Sequence, residues 1–273
     1  MSADGLAVAR RRWSWGLRIG VGIVAAYTLI AVFAPLLAPA DPLAQMPADR
    51  LASPSWQHLL GTDELGRDVF SRLIYATRVD LLVGVLAALL PAVLGTVVGA
   101  IAGYRGGWLD GVVMRLADLF QAFPSYLLVI VLVFALGPGT KSILVAFTVL
   151  GWLVYARIIR AEVLRVRESG YVQAAQLAGV PHRRILAVHV FPNVISQTLI
   201  YLPSDIVFAT LALASFSFLG LGIPPPTAEW GAMIADGQRF LRDQWWLATA
   251  PGLVIVGLGF GLALISDGVE ERR

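Results

Sequence analysis

Long apolar runs, separated by short polar segments, most limit what this chain can fold into. A run of roughly 20 apolar residues is long enough to cross the hydrocarbon core of a bilayer as a helix. Of the 273 residues, 58% are hydrophobic and only 14% are charged, and the mean hydropathy is +0.75. Soluble domains carry about 25% charged residues. The sequence therefore predicts an all-α membrane protein.

Six runs are long enough to be predicted as transmembrane helices. They cover residues 19–37, 81–104, about 116–136, 143–159, about 199–221 and 247–266. The first, second and sixth are apolar throughout. The other three contain polar residues, namely Asp118 and Gln121, then Arg157, then Asp205. Because polar groups are costly in lipid, we expect these three helices to face protein or a water-filled path.

The basic residues predict the orientation of the helices. With the amino terminus inside, most of the 21 Lys and Arg residues fall on the same side as both termini. The positive-inside rule then places both termini in the cytoplasm. Since orientation accounts for this charge, we expect no nucleic-acid partner. The absence of cysteine excludes disulfides and thiolate metal sites.

The six helices predict a division of the chain into segments. These are a cytoplasmic amino-terminal segment 1–18, a first transmembrane helix 19–37, an extracytoplasmic segment 38–80, a five-helix core 81–266 and a cytoplasmic tail 267–273. A cleaved signal peptide is the alternative for the first run, but a signal has only about 7 to 15 apolar residues. We therefore interpret it as a retained helix.

Two further helices are expected in the extracytoplasmic segments. The first precedes residue 81, with Thr62 as its cap and an apolar face of Val69, Leu73 and Ala76. The second is a short helix over 230–241, in the extracytoplasmic loop 222–246. Trp245 and Trp246 follow it, and aromatic residues of this kind are typical of the headgroup level.

A polar, Arg-bearing segment, residues 171–193, interrupts the predicted core. Tyr171, Ala174, Ala175 and Ala178 have the spacing of one helix face, and this face is small and nearly flat. Gly179 then predicts a left-handed helix terminus. The segment suits docking into the groove of a partner, and a helical hairpin that buries its small face against its own bundle is the alternative.

The second half of this segment is predicted to be another short helix. Pro181 suits its first position, and Ile185 and His189 lie on it. Pro192 is expected to end or kink it before the fifth transmembrane helix.

The spacing from Gln173 through Gly179 to Asn193 resembles the coupling-loop signature of the permease subunits of bacterial ABC importers. The fuller pattern is similar to the second permease of the dipeptide, oligopeptide and nickel group. Matching stretches lie far apart, at residues 58–78, 103–124 and 218–247. Gln173 stands where the signature has Glu, so an ion pair with a partner is replaced by hydrogen bonding. Phe191 stands for the usual Leu.

The resemblance implies the permease fold of type I importers, with a cytoplasmic coupling loop at residues 169–193. Its ATPase-coupling residues would be Tyr171, Gln173, Ala174, Ala175, Ala178, Gly179, Pro181, Ile185, His189, Pro192 and Asn193. It also implies a multi-pass location in the bacterial cytoplasmic membrane. Implied partners are a second homologous permease, two ATP-binding subunits and an extracytoplasmic solute-binding protein.

The chain itself is expected to be non-catalytic. It has no GxxxxGK[ST] phosphate loop, so ATP and Mg²⁺ would be bound by the partner ATPases, and no cofactor or metal by this chain. An intramembrane enzyme would need a motif that His58, His182 and His189 do not form, since none belongs to an HExxH pair.

Gln121, Ser204 and Asp205 are the candidates for lining a translocation path for di- or oligopeptides, and Asp205 could attract a peptide amino terminus. A nickel or other small-solute importer is the alternative, although few histidines lie in the transmembrane runs. An ion-coupled secondary transporter with Asp118 and Asp205 as proton sites is a third reading. Such transporters usually contain internal repeats, and none is evident here.

Overall fold

The structure is a computed structural model, and it describes residues 15–270. These residues contain helices and no β-strand. In chain order the helices are α1 (Trp15–Val32), α2 (Ala34–Leu37), α3 (Val69–Arg105), α4 (Gly107–Gln121), α5 (Ser125–Leu136), α6 (Thr140–Arg167), α7 (Gly170–Leu177), α8 (His182–Arg184), a π-helix (Ile185–Val190), α9 (Phe191–Phe218), α10 (Trp230–Gly237) and α11 (Trp246–Glu270). Most of the predicted amino-terminal segment and the last three residues of the predicted tail lie outside the described residues.

The predicted all-α membrane fold is confirmed. Five helical stretches are long and apolar enough to cross a membrane, and the bent pair α4 and α5 brings the number to as many as six. The third predicted helix, 116–136, is wrong as a continuous element, because α4 and α5 meet at an angle of 90°. Pro124 at this break lacks a backbone N–H and disfavours helical geometry at Phe123.

Helix α3 corrects the expected start of the second transmembrane helix. It has 37 residues and begins at Val69, so the predicted lead-in and the span are one helix. At about 1.5 Å per residue this helix is roughly 55 Å long, well beyond the hydrocarbon thickness. The predicted cap Thr62 is also wrong, since the Asp68 carboxylate accepts the Ser71 backbone N–H at 2.8 Å.

The bundle centres on α3, which packs along α6 and α9, while α1 packs along α11. Glycines allow the closest of these approaches. A Cβ atom at Gly95 would lie 2.2 Å from the carbonyl oxygen of Trp152, and one at Gly99 would lie 2.5 Å from that of Ala156. Small residues four apart let two helix backbones approach in this way.

A polar corner forms at the end of the bundle opposite α7. We call the loop 61–68, the first turns of α3 and helix α10 the α3–α10 corner. The helix expected over 230–241 ends earlier, at Gly237, and a short 3₁₀ turn follows it. The Glu229 carboxylate caps α10 by accepting the backbone N–H groups of Gly231 and Ala232, each at 2.8 Å.

Candidate functional site

The coupling loop, residues 169–193, begins with the short helix α7. The Ser169 carbonyl accepts the Val172 and Gln173 N–H groups at its start. At its end Gly179 has a φ of +73°, as predicted, and the Val180 N–H reaches the Ala175 carbonyl at 3.1 Å. This bond closes the helix in the manner of a Schellman motif and fixes the corner.

The second half of the coupling loop differs from the expectation of a separate short helix. From His182 to Phe218 the chain forms one continuous helical stretch through the π-helix and α9. Pro181 is the residue before this stretch rather than its first helical residue. Pro192 does not end it. Because the ring of a proline collides with the carbonyl four residues earlier, the wider π turn before Pro192 lets the helix continue.

The coupling loop has a rigid base. Val172 and Ile185 are fully buried in an apolar cluster with α3 and α6 residues. The Tyr104 hydroxyl and His182 Nδ1 lie 3.0 Å apart, which ties the end of α3 to α8. The Tyr171 and His189 rings contact each other at a centroid distance of 6.5 Å. These contacts connect α7 and α8 to α3, α6 and α9.

The opposite face of α7 is open. Tyr171, Ala174, Leu177 and Ala178 are exposed, and Leu177 is 90% exposed. Ala175 is half-buried and packs on the apolar cluster instead. Most of the small face is thus not buried against its own bundle, contrary to the hairpin alternative. Sequence reasoning missed Leu177, which shares the exposed side of the helix with Ala174 and Ala178.

The remaining predicted coupling residues make local contacts. The Gln173 side-chain amide donates to the Glu168 carbonyl at 3.2 Å, and that of Asn193 donates to the His189 carbonyl at 2.7 Å. Pro181 and Pro192 are exposed. The amide of Gln173 therefore holds the start of α7 as well as facing solvent.

The predicted path residues do not converge on one point. Ser204 pairs with Ser266 of α11 at 2.8 Å, and Gln121 is exposed at the break between α4 and α5. Asp205 lines a cavity among α3, α5, α6 and α9. Asp118 forms an ion pair with Arg157 at 2.6 Å, which ties α4 to α6. A second ion pair, Asp110 with Arg160, ties the same two helices.

Comparison with known proteins decides the family. Residues 95–273 match the family described as binding-protein-dependent transport system inner membrane component. The dipeptide transport system permease protein DppC of Escherichia coli K12 is 41% identical over 262 residues, which are 94% of this chain and 87% of that protein. The chain belongs to this permease family.

Two other relatives support the same conclusion over nearly the whole chain. A DppC protein of Alkalihalophilus pseudofirmus is 36% identical over 253 residues, 93% of this chain and 83% of the relative. A putative peptide transport system permease protein of Brucella suis is 40% identical over 263 residues, 96% of this chain and 87% of the relative. The resemblance based on the coupling loop is thereby confirmed, and the permease is a multi-pass membrane protein.

The α3–α10 corner of the permease was not predicted. Asp80 and Glu229 are fully buried carboxyl groups, and Asp80 accepts the Trp230 N–H at 3.0 Å. This bond joins residues 150 positions apart in the sequence. A pattern of local spacing cannot reveal such a contact, because both acids look like ordinary loop and helix-end residues in the sequence.

Buried ion pairs complete the corner. Arg67 is 5% exposed, with its Nε 2.7 Å from Asp63, and Arg72 is 3% exposed, with its Nε 3.5 Å from the same carboxylate. Burial raises the pKa of the nearby Asp236 carboxyl, and the guanidiniums of Arg72 and Arg67 oppose that rise. Asp80 and Arg67, the latter 4.0 Å from Asp236, therefore join α10 to α3 and the loop before it.

The described residues of the permease contain no candidate metal centre. Across residues 15–270 no three His, Cys, Asp or Glu side chains are placed to share a metal ion.

Proposed function

We propose that this permease is the membrane subunit of an ATP-driven importer and forms half of the translocation path for short peptides. The observation that carries the proposal is the coupling loop, an exposed helix face on a rigid base, in a chain without a phosphate-binding loop. The relatives named as dipeptide and peptide transport permeases support the peptide cargo.

The proposed complex contains four kinds of chain. A second, homologous permease completes the path, two ATP-binding subunits each accept one coupling loop, and an extracytoplasmic binding protein delivers the cargo. Both termini and the coupling loop lie in the cytoplasm. The exposed Arg105, Arg183 and Arg184 near the coupling loop support this orientation, since basic residues favour the cytoplasmic side.

Contacts of the coupling loop support a mechanism by which movement of the ATPase subunits is passed to the transmembrane helices. When the ATPase subunits close on nucleotide, α7 is displaced with them. Its base packs on α3 and α6, and the loop continues without a break into α9. Displacement of α7 is therefore passed on as a rigid-body shift of these helices, which reopens the central cavity on the other side of the membrane.

The path is proposed to run along α9. Ser204 and Asp205 lie on this helix, and Gln121 lies at the break of the α4 and α5 pair. Exposed polar side chains in a transmembrane helix are costly in lipid, so such residues are expected to face water or a partner subunit. Ser204 is exposed even though it pairs with Ser266.

Uptake by reconstituted vesicles tests the proposal. The permease is assembled with its partner subunits, and import of a radiolabelled dipeptide is measured with ATP, without ATP, and with only a proton gradient. We expect ATP alone to support uptake of the dipeptide, and a proton gradient alone to support none. Gradient-driven uptake by this chain in the absence of any ATPase would instead establish a secondary transporter, and ATP-driven uptake of nickel but no peptide would establish the alternative cargo.

A further inference from the structure

A cavity of about 240 Å³ lies among α3, α5, α6 and α9. Its walls are largely apolar, and their aromatic side chains are Tyr126, Phe147, Phe208 and Phe216. Tyr126 contacts both Phe208 and Phe216, with ring centroids 5.7 and 5.6 Å apart, and Phe147 contacts Phe216 at 6.3 Å. The four aromatic rings therefore form a continuous cluster along one side of the cavity.

The cavity is open at one side. Tyr126 and Phe208 are 40% and 48% exposed, and Ser125 beside them is exposed as well. The buried residues Ala88 and Ala209, each 2% exposed, also line the cavity. A ligand would therefore enter beside the exposed Tyr126 and Phe208 and contact the buried alanines inside.

Asp205 is the acidic residue of the cavity wall. The buried Tyr155 hydroxyl, which has no hydrogen-bond partner among the described residues, lies near the carboxyl group of Asp205. Within residues 15–270 no Lys, Arg or His side chain lies within ion-pair distance of Asp205, whereas Asp118, on the same bundle, is paired with Arg157. Asp205 thus presents an unneutralised acid to an apolar space.

A cationic ligand fits this combination of groups. A carboxylate in apolar surroundings is costly unless a positive charge accompanies it. An organic ammonium group also gains from nearby aromatic faces, by about 0.5 to 2 kcal/mol. The cavity is smaller than the roughly 300–1,000 Å³ of sites that enclose a drug-sized ligand. It therefore suits one end of a molecule, an amino group with a neighbouring apolar side chain.

We propose that this cavity binds the protonated amino group of a small organic cation with an apolar substituent, with Asp205 as its counter-ion. The amino-terminal residue of a short peptide belongs to this class. That part of the inference rests on the proposed function, whereas the preference for a cation does not depend on it. Ser204, which pairs with Ser266, lies outside this site.

The absence of native cysteine makes the cavity directly testable. Ala209→Cys places one thiol on its wall in the assembled importer, and labelling rates are compared for methanethiosulfonates carrying an ammonium or a sulfonate group. We expect the cationic reagent to react at least about tenfold faster than the anionic one, relative to free cysteine. Adding Asp205→Asn should remove most of this preference, and Asp205→Glu should restore it. An unchanged ratio in the Asp205→Asn background would overturn the proposal.

Protection by a ligand tests the amino group itself. Phenylalanyl-alanine and its N-acetylated form are added to the Ala209→Cys complex without binding protein. The free peptide should slow labelling several-fold, and the acetylated peptide should not. Equal protection by both would contradict the assigned role of Asp205. Ala88→Cys repeats the measurement in case Ala209→Cys fails to assemble.

These outcomes separate the two proposals. Charge-selective labelling without ATP-driven uptake would retain the cation site and remove the importer mechanism. ATP-driven peptide uptake without charge-selective labelling would do the reverse.

Discussion

The coupling loop and the α3–α10 corner lie at opposite ends of the same bundle. The side chains of the coupling loop described above are mostly exposed, whereas the charged side chains of the corner are mostly buried. At the coupling loop, Gln173 and Pro181 are exposed, and Ala174 and Leu177 face outward with them. At the corner, Asp80 and Glu229 are fully buried. A polar segment between apolar runs can thus form a surface for a partner or a buried network that holds helices in place.

The difference predicts separable consequences of mutation. Removing one member of a buried charged network leaves the others without partners in an apolar setting, which is strongly destabilising. Removing an exposed side chain changes stability by only about 0.5 kcal/mol. Substitutions in the corner should therefore lower the amount of folded permease, whereas those on the exposed face of α7 should affect coupling alone.

The largest effect is expected at Arg67. Arg67→Leu removes the ion pair at 2.7 Å and leaves the half-buried Asp63 carboxylate only its longer contact with Arg72 at 3.5 Å, and it should cost about 3 kcal/mol of folding free energy. Arg239→Leu is the matched control, because Arg239 is 68% exposed and 4.0 Å from Glu64, and an exposed pair contributes about 0–1 kcal/mol. Heating the detergent-solubilised permease before size-exclusion chromatography measures both. Equal thermal stability of the two variants would contradict the structural role assigned to the corner.

A smaller loss is expected at Glu229. Glu229→Ala removes the acceptor for two N–H groups of α10 and should cost about 1–3 kcal/mol. Glu229→Gln keeps one acceptor oxygen, but its NH2 group cannot accept the second N–H group, so its stability should lie between those of the wild type and the Ala variant. The same chromatographic assay measures both variants. A Gln variant as unstable as the Ala variant would contradict a contribution of the remaining cap bond.

The contact between α3 and α6 should respond to added volume. Gly99→Leu forces atoms into a space where even a Cβ would lie 2.5 Å from the Ala156 carbonyl oxygen, and overpacking costs about 1–3 kcal/mol. Gly111→Leu on α4 is the control, since no heavy atom lies within 4 Å of its Cβ position. The expected result is a lower yield of monodisperse protein for Gly99→Leu alone. A normal yield of that variant would contradict the close packing.

The smallest effect on stability is expected on α7. Leu177→Asp should leave the thermal stability within about 0.5 kcal/mol of the wild type, because Leu177 is 90% exposed. It should nevertheless abolish co-purification of the ATPase subunits. Gln176→Asp places the same charge on the neighbouring exposed position and should preserve part of the binding. Loss of folding in Leu177→Asp would place this residue in a structural role.

The sequence reveals local features of this fold and misses distant ones. Length and hydropathy located the long helices, because both are properties of a single segment. The left-handed Gly179 also followed from the local order of residues. The predicted start of the second transmembrane helix at residue 81 was wrong, because α3 also includes polar residues such as Arg78 that precede the apolar run.

Contacts between distant segments account for what was missed. The bond from Trp230 to Asp80 and the cavity around Asp205 each combine elements far apart in the chain. The small residues of α7 predicted that they share one helix face, but they did not predict how the helix is rotated about its axis. The buried Val172 shows which side of α7 packs against the bundle. The exposure of Leu177 follows from that orientation.

Cross-linking from Leu177 shows which molecule the exposed face of α7 contacts. Because the chain has no cysteine, Leu177→Cys carries a single thiol, to which a short photoactivatable cross-linker is attached in the assembled complex. We predict one major product, joined to the ATP-binding subunit, with a yield that changes when ATP is added. A product joined only to lipid or to another permease, with or without ATP, would contradict the assignment of the coupling loop as the site where the motor engages.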